Sequence, residues 1–315
     1  MNKDIFFFEP VLAKRIWGGD FLKKLYGKTD LSYPVGEAWL ISGMENNSSK
    51  ILSSPFQNFR LDKFFATFPE FFSNAKISDF PLLVKLIDAV DKLSVQVHPN
   101  DSYALKHENA KGKNECWYVI DATPDSYLIT GHNALTKAEL KSKIINNDFD
   151  SLLRKTPIKK DDFIYIPAGT IHAIGAGVRL VEVQQPSDIT YRVYDYSRLD
   201  DSGKPRKLSV SEALDVTIVP APVPKIKNYA NSTGIVNLFK TADFQVDKWK
   251  TNKAINYYNF RKHVFFFVVL EGEGIVNLHE VKQGDAFMAA STNENINVYG
   301  NLSLLTISLP DEALQ

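Results

Sequence analysis

The stretch that decides the fold is Leu93-Ser94-Val95-Gln96-Val97-His98-Pro99-Asn100-Asp101. Successive side chains of an extended strand point to opposite faces, so the pattern puts Ser94, Gln96 and His98 on one face and the two valines on the other. Proline cannot donate to a sheet ladder and ends the strand, which places His98 near the rim of the predicted sheet. The polar face therefore predicts the floor of a metal site.

Two further side chains complete a metal-ligand set with this strand. Glu115 opens an apolar, strand-like run, and His172 follows the segment Pro167-Ala168-Gly169-Thr170. Each residue alone has an ordinary explanation, such as a solvated histidine or an exposed strand acid. Together, two neutral imidazoles, one carboxylate and one amide oxygen leave a divalent ion with net positive charge and an open position, which suits a Lewis acid. The predicted ligands are Gln96, His98, Glu115 and His172.

The composition excludes several classes of protein. The chain has 315 residues, 44% of them hydrophobic, which is enough for a sizeable core and suggests two domains. Lysine plus arginine and aspartate plus glutamate both number 37, so a nucleic-acid or anionic-membrane partner has no electrostatic support. A single cysteine excludes an intrachain disulfide, and charges interrupt every apolar run before a membrane span. These features predict a cytoplasmic protein.

Many short strands with few helices predict a mainly β protein of two cupin barrels, the double-stranded β-helix or jelly-roll fold, with small helical insertions. One insertion is expected near 60–78, where apolar residues follow helical spacing until Pro69. The other is expected near 136–155, where Thr136 and Glu139 form a capping-box pattern. A second box, Ser209 with Glu212, predicts a short helix near 210–217.

A proline-spaced segment and a weak internal repeat divide the chain. Prolines 220, 222 and 224 exclude an inner strand, so we expect a catalytic domain over 1–218, a linker over 219–229 and a second cupin-like domain over 230–315. The repeat aligns the segment ending at His172 with the segment ending at Asn295, and it sets Phe265 opposite Glu115. The second domain is therefore expected to lack metal ligands.

Four motifs resemble those of the type I mannose-6-phosphate isomerases, in particular their short bacterial form. The motifs are Pro81–Ile87 with Leu93–Asn100, Lys113-Asn114-Glu115, Phe163–His172 and Glu182–Arg192. Trp17-Gly18-Gly19 and Glu37-Ala38-Trp39 extend the likeness toward the N-terminus. Asn114 departs from the family, because it occupies the place of the proline in the Lys-Pro-Glu motif. The helical insert of longer members is also reduced to the region near 136–155.

The resemblance implies an aldose-ketose isomerase that interconverts mannose 6-phosphate and fructose 6-phosphate by proton transfer through an enediol. It implies one zinc ion per chain on the four predicted ligands and a second barrel without metal. The implied partner is a small phosphorylated sugar, and a monomer or weak homo-oligomer is expected.

The base that moves the proton between C1 and C2 stays open between Glu182 and Lys113. Burial of Glu182 would raise its pKa toward neutrality, whereas Lys113 lies two residues from Glu115 and on the same strand face. Glu182 has a second interpretation, in which it only orients a ligand or pairs with Arg192.

Three other residues are expected to contact the substrate. Arg192 remains charged, so we expect it to stabilise the enediolate oxygen or to bind phosphate. Ser94 and Lys85 are the phosphate-binding candidates, since a buried lysine on an apolar strand is costly unless it is paired.

Two other functions compete with this interpretation. An iron-dependent cupin oxygenase is one, because the same ligand types suit iron, and oxygen uptake would distinguish it. The other is a non-catalytic bicupin that binds sugar without turnover. The cationic set of Lys85, Lys113 and Arg192 favours a phosphorylated substrate over the oxygenase, and no DNA-binding segment is visible in the sequence to support a regulatory bicupin.

Overall fold

The computed structural model describes residues 4–200 and 202–310. Its strands, in chain order, are β1 Ile5–Glu9, β2 Val11–Gly19, β3 Val35–Ser42, β4 Lys50–Ile51, β5 Leu83–Ala89, β6 Val95–Val97, β7 Glu115–Ala122, β8 Tyr127–His132, β9 Leu153–Pro157, β10 Asp162–Ile166, β11 His172–Ile174, β12 Val178–Gln184, β13 Tyr191–Tyr194, β14 Ile226–Asn228, β15 Gly234–Lys240, β16 Gln245–Thr251, β17 Ala254–Tyr258, β18 Phe265–Val276, β19 His279–Lys282, β20 Ala286–Ala289 and β21 Asn295–Ser308.

The helices are short. They are α1 Phe21–Leu25, α2 Leu61–Thr67, α3 Asp101–Glu108, α4 Lys137–Ile145, α5 Phe149–Leu152 and α6 Val210–Val216, with 3₁₀ turns at Glu45–Asn47 and Pro69–Phe72. Strands hold 43% of the residues and helices 15%, so the predicted mainly β class is confirmed.

The chain forms two compact units, each assembled from separate stretches. The central unit contains Leu12–Glu37 and Lys85–Ala230. The terminal unit contains the residues up to Val11, Ala38–Val84 and the residues from Asn231 onward. Along the chain, three boundaries between the units fall inside β2, β3 and β5, and the fourth follows Ala230.

The central unit is built on antiparallel strands with apolar cores. A five-stranded sheet has the order β13-β6-β11-β8-β9, and a seven-stranded sheet has the order β14-β10-β7-β12-β5-β3-β2. Strand β6 carries the alternation predicted from the sequence, because Val95 and Val97 are fully buried in one apolar cluster. The opposite face of β6 is therefore left for Gln96.

The terminal unit is organised around one nine-stranded sheet of order β15-β16-β21-β18-β20-β1-β4, with β17 on β21 and β19 on β18. The interior residues of β18 are aromatic and aliphatic, and Phe267 stacks on Phe287 with ring centroids 5.0 Å apart. In helix α2, Phe64 packs against Phe6 of β1 at 5.2 Å. The interior of this unit is therefore filled by apolar side chains.

Helices form in both predicted insertion regions. Helix α2 ends at Thr67, ahead of Pro69 as expected. The cap of α4 is also confirmed, since the Thr136 side chain accepts a hydrogen bond from the Glu139 amide. The short helix predicted near 210–217 is present as α6, which begins at Val210. Its predicted capping box is wrong, because the Ser209 side chain makes no cap hydrogen bond.

The proline-spaced segment keeps irregular backbone from Val219 to Lys225, and strand β14 then follows. Strand β14 pairs antiparallel with β10, so the last part of the predicted linker belongs to a sheet. Among the described residues, no helix is long and apolar enough to cross a membrane.

Candidate metal centre and cavity

Strand pairing in the central unit brings the predicted ligands together. His172 of β11 lies directly opposite Gln96 of β6. Glu115 begins β7 and is paired with Gln184 of β12. The main chain continues the connection beyond β6, because the Gly169 amide donates a hydrogen bond to the His98 carbonyl at 2.8 Å. Ligands from three separated segments therefore face one another.

The donor atoms of His98, Glu115 and His172 all lie within 4.8 Å of one another, and all three residues are buried. His98 Nε2 is 3.5 Å from Glu115 Oε2, and His172 Nε2 is 3.3 Å from Glu115 Oε1. The terminal amide nitrogen of Gln96 lies 3.4 Å from His172 Nε2. The structure thus gathers all four predicted ligands.

Hydrogen bonds set the orientation of both histidine rings. His98 Nδ1 lies 2.7 Å from the Ile189 carbonyl, and His172 Nδ1 lies 2.9 Å from the Thr170 carbonyl. A carbonyl only accepts, so each Nδ1 carries the hydrogen and each Nε2 keeps a lone pair. Both lone pairs point into the cluster, as in metal sites where a backbone carbonyl fixes the ligating tautomer.

Burial also keeps the rings neutral. Desolvation, with the Lys113 charge adding to it, lowers the pKa of His172 to about 4. Desolvation and then Lys113 hold the pKa of His98 well below its ordinary value. Both histidines can therefore act as ligands across the neutral range without first losing a proton.

Glu115 is the least satisfied group of the cluster. Its residue is fully buried, and among the described residues neither carboxylate oxygen has a hydrogen-bond partner of good geometry. Desolvation raises its pKa to about 7, against the lowering effect of Lys113. The Lys113 charge offsets only part of the cost of burying this carboxylate, so the group calls for a further partner.

A divalent cation fits this partner role. Ligand bonds of about 2.0–2.2 Å place neighbouring donor atoms roughly 3–3.5 Å apart, which agrees with the Glu115 to histidine separations. Imidazole nitrogens with carboxylate and amide oxygens suit zinc and other first-row divalent metals. The residues present therefore fit a metal ion.

Lys113 is part of the same cluster. Its ammonium Nζ lies 2.7 Å from Glu115 Oε2 and 3.0 Å from His98 Nε2. Strand β7 begins only at Glu115, so Lys113 reaches the cluster from the segment before the strand, where its amide donates to the Pro99 carbonyl at 3.0 Å.

A cavity of about 430 Å³ adjoins the cluster within the central unit. The residues that line it include six of the site residues predicted from the sequence: Lys85, Ser94, Gln96, Lys113, Glu182 and Arg192. Three of these are cations, and the volume is that of a typical small-molecule site.

The structure pairs Glu182 with Lys85. Lys85 Nζ donates to Glu182 Oε1 at 3.1 Å, and Trp117 Nε1 donates to Glu182 Oε2 at 3.0 Å. Desolvation favours the neutral acid, but Lys113, Lys85 and the two hydrogen bonds outweigh it and lower the pKa of Glu182 to about 2. The expectation of a pKa raised toward neutrality is therefore wrong, because burial came with two cations.

Arg192 and Arg206 also line the cavity. Arg192 of β13 donates through Nη1 to the Lys207 carbonyl at 3.0 Å, while its buried Nε has no partner among the described residues. Arg206 donates through Nε to Asp195 at 2.6 Å. Burial and then the charge of Arg206 lower the pKa of Arg192. Two neighbouring cations with an unsatisfied donor favour an anionic ligand.

Five polar residues that line the cavity were not identified as site candidates from the sequence. They are Arg15, Glu37, Asp188, Thr190 and Arg206. Arg15 lies two positions before Trp17 on β2, so strand alternation could have placed it on the same face. It forms an ion pair with Glu37 at 2.9 Å. Arg206 lies in a loop, where no periodic signal exists.

The chain is similar to known mannose-6-phosphate isomerases in sequence and in structure. The model of the type I phosphomannose isomerase catalytic domain matches residues 5–136. The mannose-6-phosphate isomerase of Streptococcus mutans is 38% identical over 95% of this chain and 96% of its own length. A mannose-6-phosphate isomerase of Bacillus subtilis is 40% identical over 87% of this chain and 88% of its own length.

A solved structure supports the same relationship. The crystal structure of the mannose 6-phosphate isomerase from Bacillus subtilis superposes with a TM-score of 0.87 at 32% identity. The match covers 96% of this chain and 99% of that one.

Proposed function

We propose, because the chain belongs to the type I phosphomannose isomerase family, that it interconverts mannose 6-phosphate and fructose 6-phosphate. One observation carries the proposal: His98, Glu115 and His172 converge beside a cavity that lysines and arginines line. An aldose-ketose isomerase needs an electrophile at the sugar oxygens, a base at the carbons and cations for the phosphate.

The proposed cofactor is one zinc ion per chain, held by Gln96, His98, Glu115 and His172. When bound, the ion supplies Lewis-acid polarisation of the sugar oxygens at C1 and C2. Gln96 would contribute its amide oxygen, which requires the opposite orientation of the amide from the one that faces His172 Nε2; the two orientations have the same shape.

Lys113 is the base that we favour for the proton transfer between C1 and C2. It lines the cavity and reaches the ligand cluster through Nζ. Glu182 is the weaker candidate, since both of its oxygens already accept hydrogen bonds and its pKa is lowered to about 2. We assign Glu182 the role of holding Lys85.

We place the phosphate against the arginine-lined part of the cavity. Arg192 and Arg206 offer guanidinium groups that match a phosphate dianion in geometry and charge. Ser94 lines the same cavity and can donate its hydroxyl. Lys85 contributes its charge to the cavity field while it stays paired with Glu182.

We further propose that the two units correspond to two cupin barrels and that only the central one holds metal. A cytosolic, monomeric or weakly associating protein is part of this proposal, and the buried free thiol of Cys116 agrees with a reducing compartment.

A coupled assay on the purified protein tests the proposal. Mannose 6-phosphate should be converted to fructose 6-phosphate, a chelator should abolish the conversion, and added zinc should restore it. Oxygen uptake under the same conditions should stay at the background. Full activity in a protein shown by metal analysis to be metal-free would overturn the zinc proposal, and absent turnover with zinc restored would overturn the isomerase.

A further inference from the structure

Asn114 lies between Lys113 and Glu115, and its main chain is hydrogen-bonded to the residue that follows β12, the strand beside β7 in the sheet. The Asn114 amide donates to Gln185 Oε1 at 2.8 Å. The Gln185 amide donates in return to the Asn114 carbonyl at 3.1 Å. Gln185 is buried and follows directly on β12, so these two bonds fix the entry of β7 against the exit of β12.

The two side chains extend the connection to other ligand segments. Asn114 Oδ1 accepts a hydrogen bond of 3.0 Å from the Ala168 amide, in the turn that leads to His172. Gln185 Nε2 donates to both carboxylate oxygens of Asp101, at 3.3 and 3.2 Å. Asp101 also accepts the Gly112 amide at 2.9 Å, just before Lys113.

We propose that Asn114 and Gln185 are positioning residues, which we call the Asn114–Gln185 clamp, and that the clamp sets the direction of Lys113 and Glu115 toward the metal and the substrate. The proposal rests on the proposed function, because it concerns the same metal site. Neither residue is among those that line the cavity.

Asn114 is the position at which the chain departs from the Lys-Pro-Glu motif. A proline there would have no amide hydrogen for Gln185 and no side-chain oxygen for Ala168. If the motif alone mattered, Asn114→Pro would be harmless. The clamp requires the opposite, since the change leaves the buried Gln185 oxygen without its donor.

Groups that orient metal ligands affect affinity and turnover by about 10- to 100-fold when they are removed. A displacement of Glu115 should lower the affinity of the site for the metal, and a displacement of Lys113 should slow proton transfer. Substrate binding at the arginine-lined part of the cavity is left intact, so the effect should fall on kcat rather than on KM. A purely structural role would lower thermal stability alone.

The experiment compares Asn114→Pro, Gln185→Met and the double variant with the wild-type holoenzyme. Metal affinity is measured by chelator competition, and the visible spectrum of the cobalt(II)-substituted protein reports ligand geometry. We expect each single change to weaken metal affinity by about tenfold, to alter the cobalt spectrum and to lower kcat by about tenfold, with KM within about twofold. In the double variant, the loss of metal affinity and of kcat should be smaller than the product of the two single losses. The reason is that both substitutions break the same hydrogen bond, from the Asn114 amide to Gln185 Oε1.

A matched control is Gln245→Met in the terminal unit. Gln245 Nε2 also donates to both oxygens of one carboxylate, that of Asp247, at 3.1 and 2.9 Å. This control should leave metal affinity, spectrum and kcat unchanged. Gln185→Met keeps the backbone at position 114, so it tests the clamp even where Asn114→Pro fails to fold.

The clamp is overturned if Gln185→Met keeps wild-type metal affinity and kcat, or if it lowers only the melting temperature. The wild-type arm tests the proposed function separately. Absent metal binding in the wild type overturns the metal site itself, whereas a normal wild type with normal variants overturns the clamp alone.

Discussion

Two strands that the internal repeat aligns carry opposite kinds of interior side chain. Strand β7 of the central unit turns Glu115 and Trp117 inward, and Glu115 is 0% exposed. Strand β18 of the terminal unit turns Phe265 and Phe267 inward at the matching positions, and both are buried in an aromatic cluster. A similar strand pattern therefore encloses charge in one unit and hydrocarbon in the other.

The difference teaches what a buried charge requires. Glu182, which has Lys85 and Trp117 as partners, has its pKa lowered to about 2. The more weakly satisfied Glu115 has its pKa raised to about 7. The terminal unit avoids this cost at Phe265, so the cost at Glu115 is consistent with a functional role rather than with stability.

The largest effect is expected from removing the charge that distinguishes the two strands. Glu115→Gln should abolish stoichiometric metal binding and reduce isomerase activity to background, because an amide is a poor replacement for the anionic ligand. Metal analysis and the coupled assay measure both. The matched change in the terminal unit, Phe265→Leu, should keep metal and activity. Retention of bound metal in Glu115→Gln would contradict the ligand assignment.

The next effect concerns the buried ion pair. Lys85→Met removes the cation that is hydrogen-bonded to the buried Glu182 carboxylate, so we expect a loss of about 3–5 kcal/mol in the free energy of unfolding. It should also raise KM more than it lowers kcat, because a cation is removed from the cavity. Urea unfolding of the metal-free protein measures the first. Combination with Glu182→Gln should restore part of the stability, and strict additivity would argue against the pair.

A smaller effect is expected from the arginine-lined part of the cavity. Arg206→Gln should raise KM for mannose 6-phosphate by about tenfold, equal to about 1.4 kcal/mol. Arg198→Gln is the control, since Arg198 binds the same Asp195 carboxylate but is not among the residues that line the cavity. Equal KM changes in the two variants would remove Arg206 from the phosphate site.

The smallest effect is a pH dependence in the terminal unit. Burial raises the pKa of Asp247 above its ordinary value of 3.8, although Asn237 and Gln245 donate to it. A raised folded-state pKa means that the native state binds the proton more tightly than the unfolded state. The wild type should therefore gain stability relative to Asp247→Asn as the pH falls from neutral toward about 4. Unfolding curves at several pH values test this, and a gain on raising the pH would contradict it.

The local signals in the sequence predicted that Gln96, His98, Glu115 and His172 lie close together. Strand alternation placed Gln96 on the polar face of β6. The motifs around Glu115 and His172 identified the two other segments that contribute candidate ligands. These residues lie in regular strands or directly beside them, where side-chain direction follows from the backbone period. The mainly β class followed from the same patterns.

Longer-range features could not be predicted from the sequence. The Lys85 to Glu182 pair joins residues 97 positions apart, and nothing local indicates that they meet. Arg206 lies in a loop held by Asp195, where no period constrains direction. Strand β14 follows a proline-spaced segment, so its pairing with β10 depends on tertiary contacts alone.

The discontinuous make-up of the terminal unit has a consequence for synthesis on the ribosome. Strand β1 pairs with β20 and with β4, so one sheet joins residues that lie more than 200 positions apart in the chain. A chain that ends at residue 218 would present β1 without β20, and Phe7 would lose its contact with Phe287, whose ring lies 5.2 Å away. Because the terminal unit combines stretches that precede and follow the central unit, its sheet can form completely only after β15 to β21 have been synthesised.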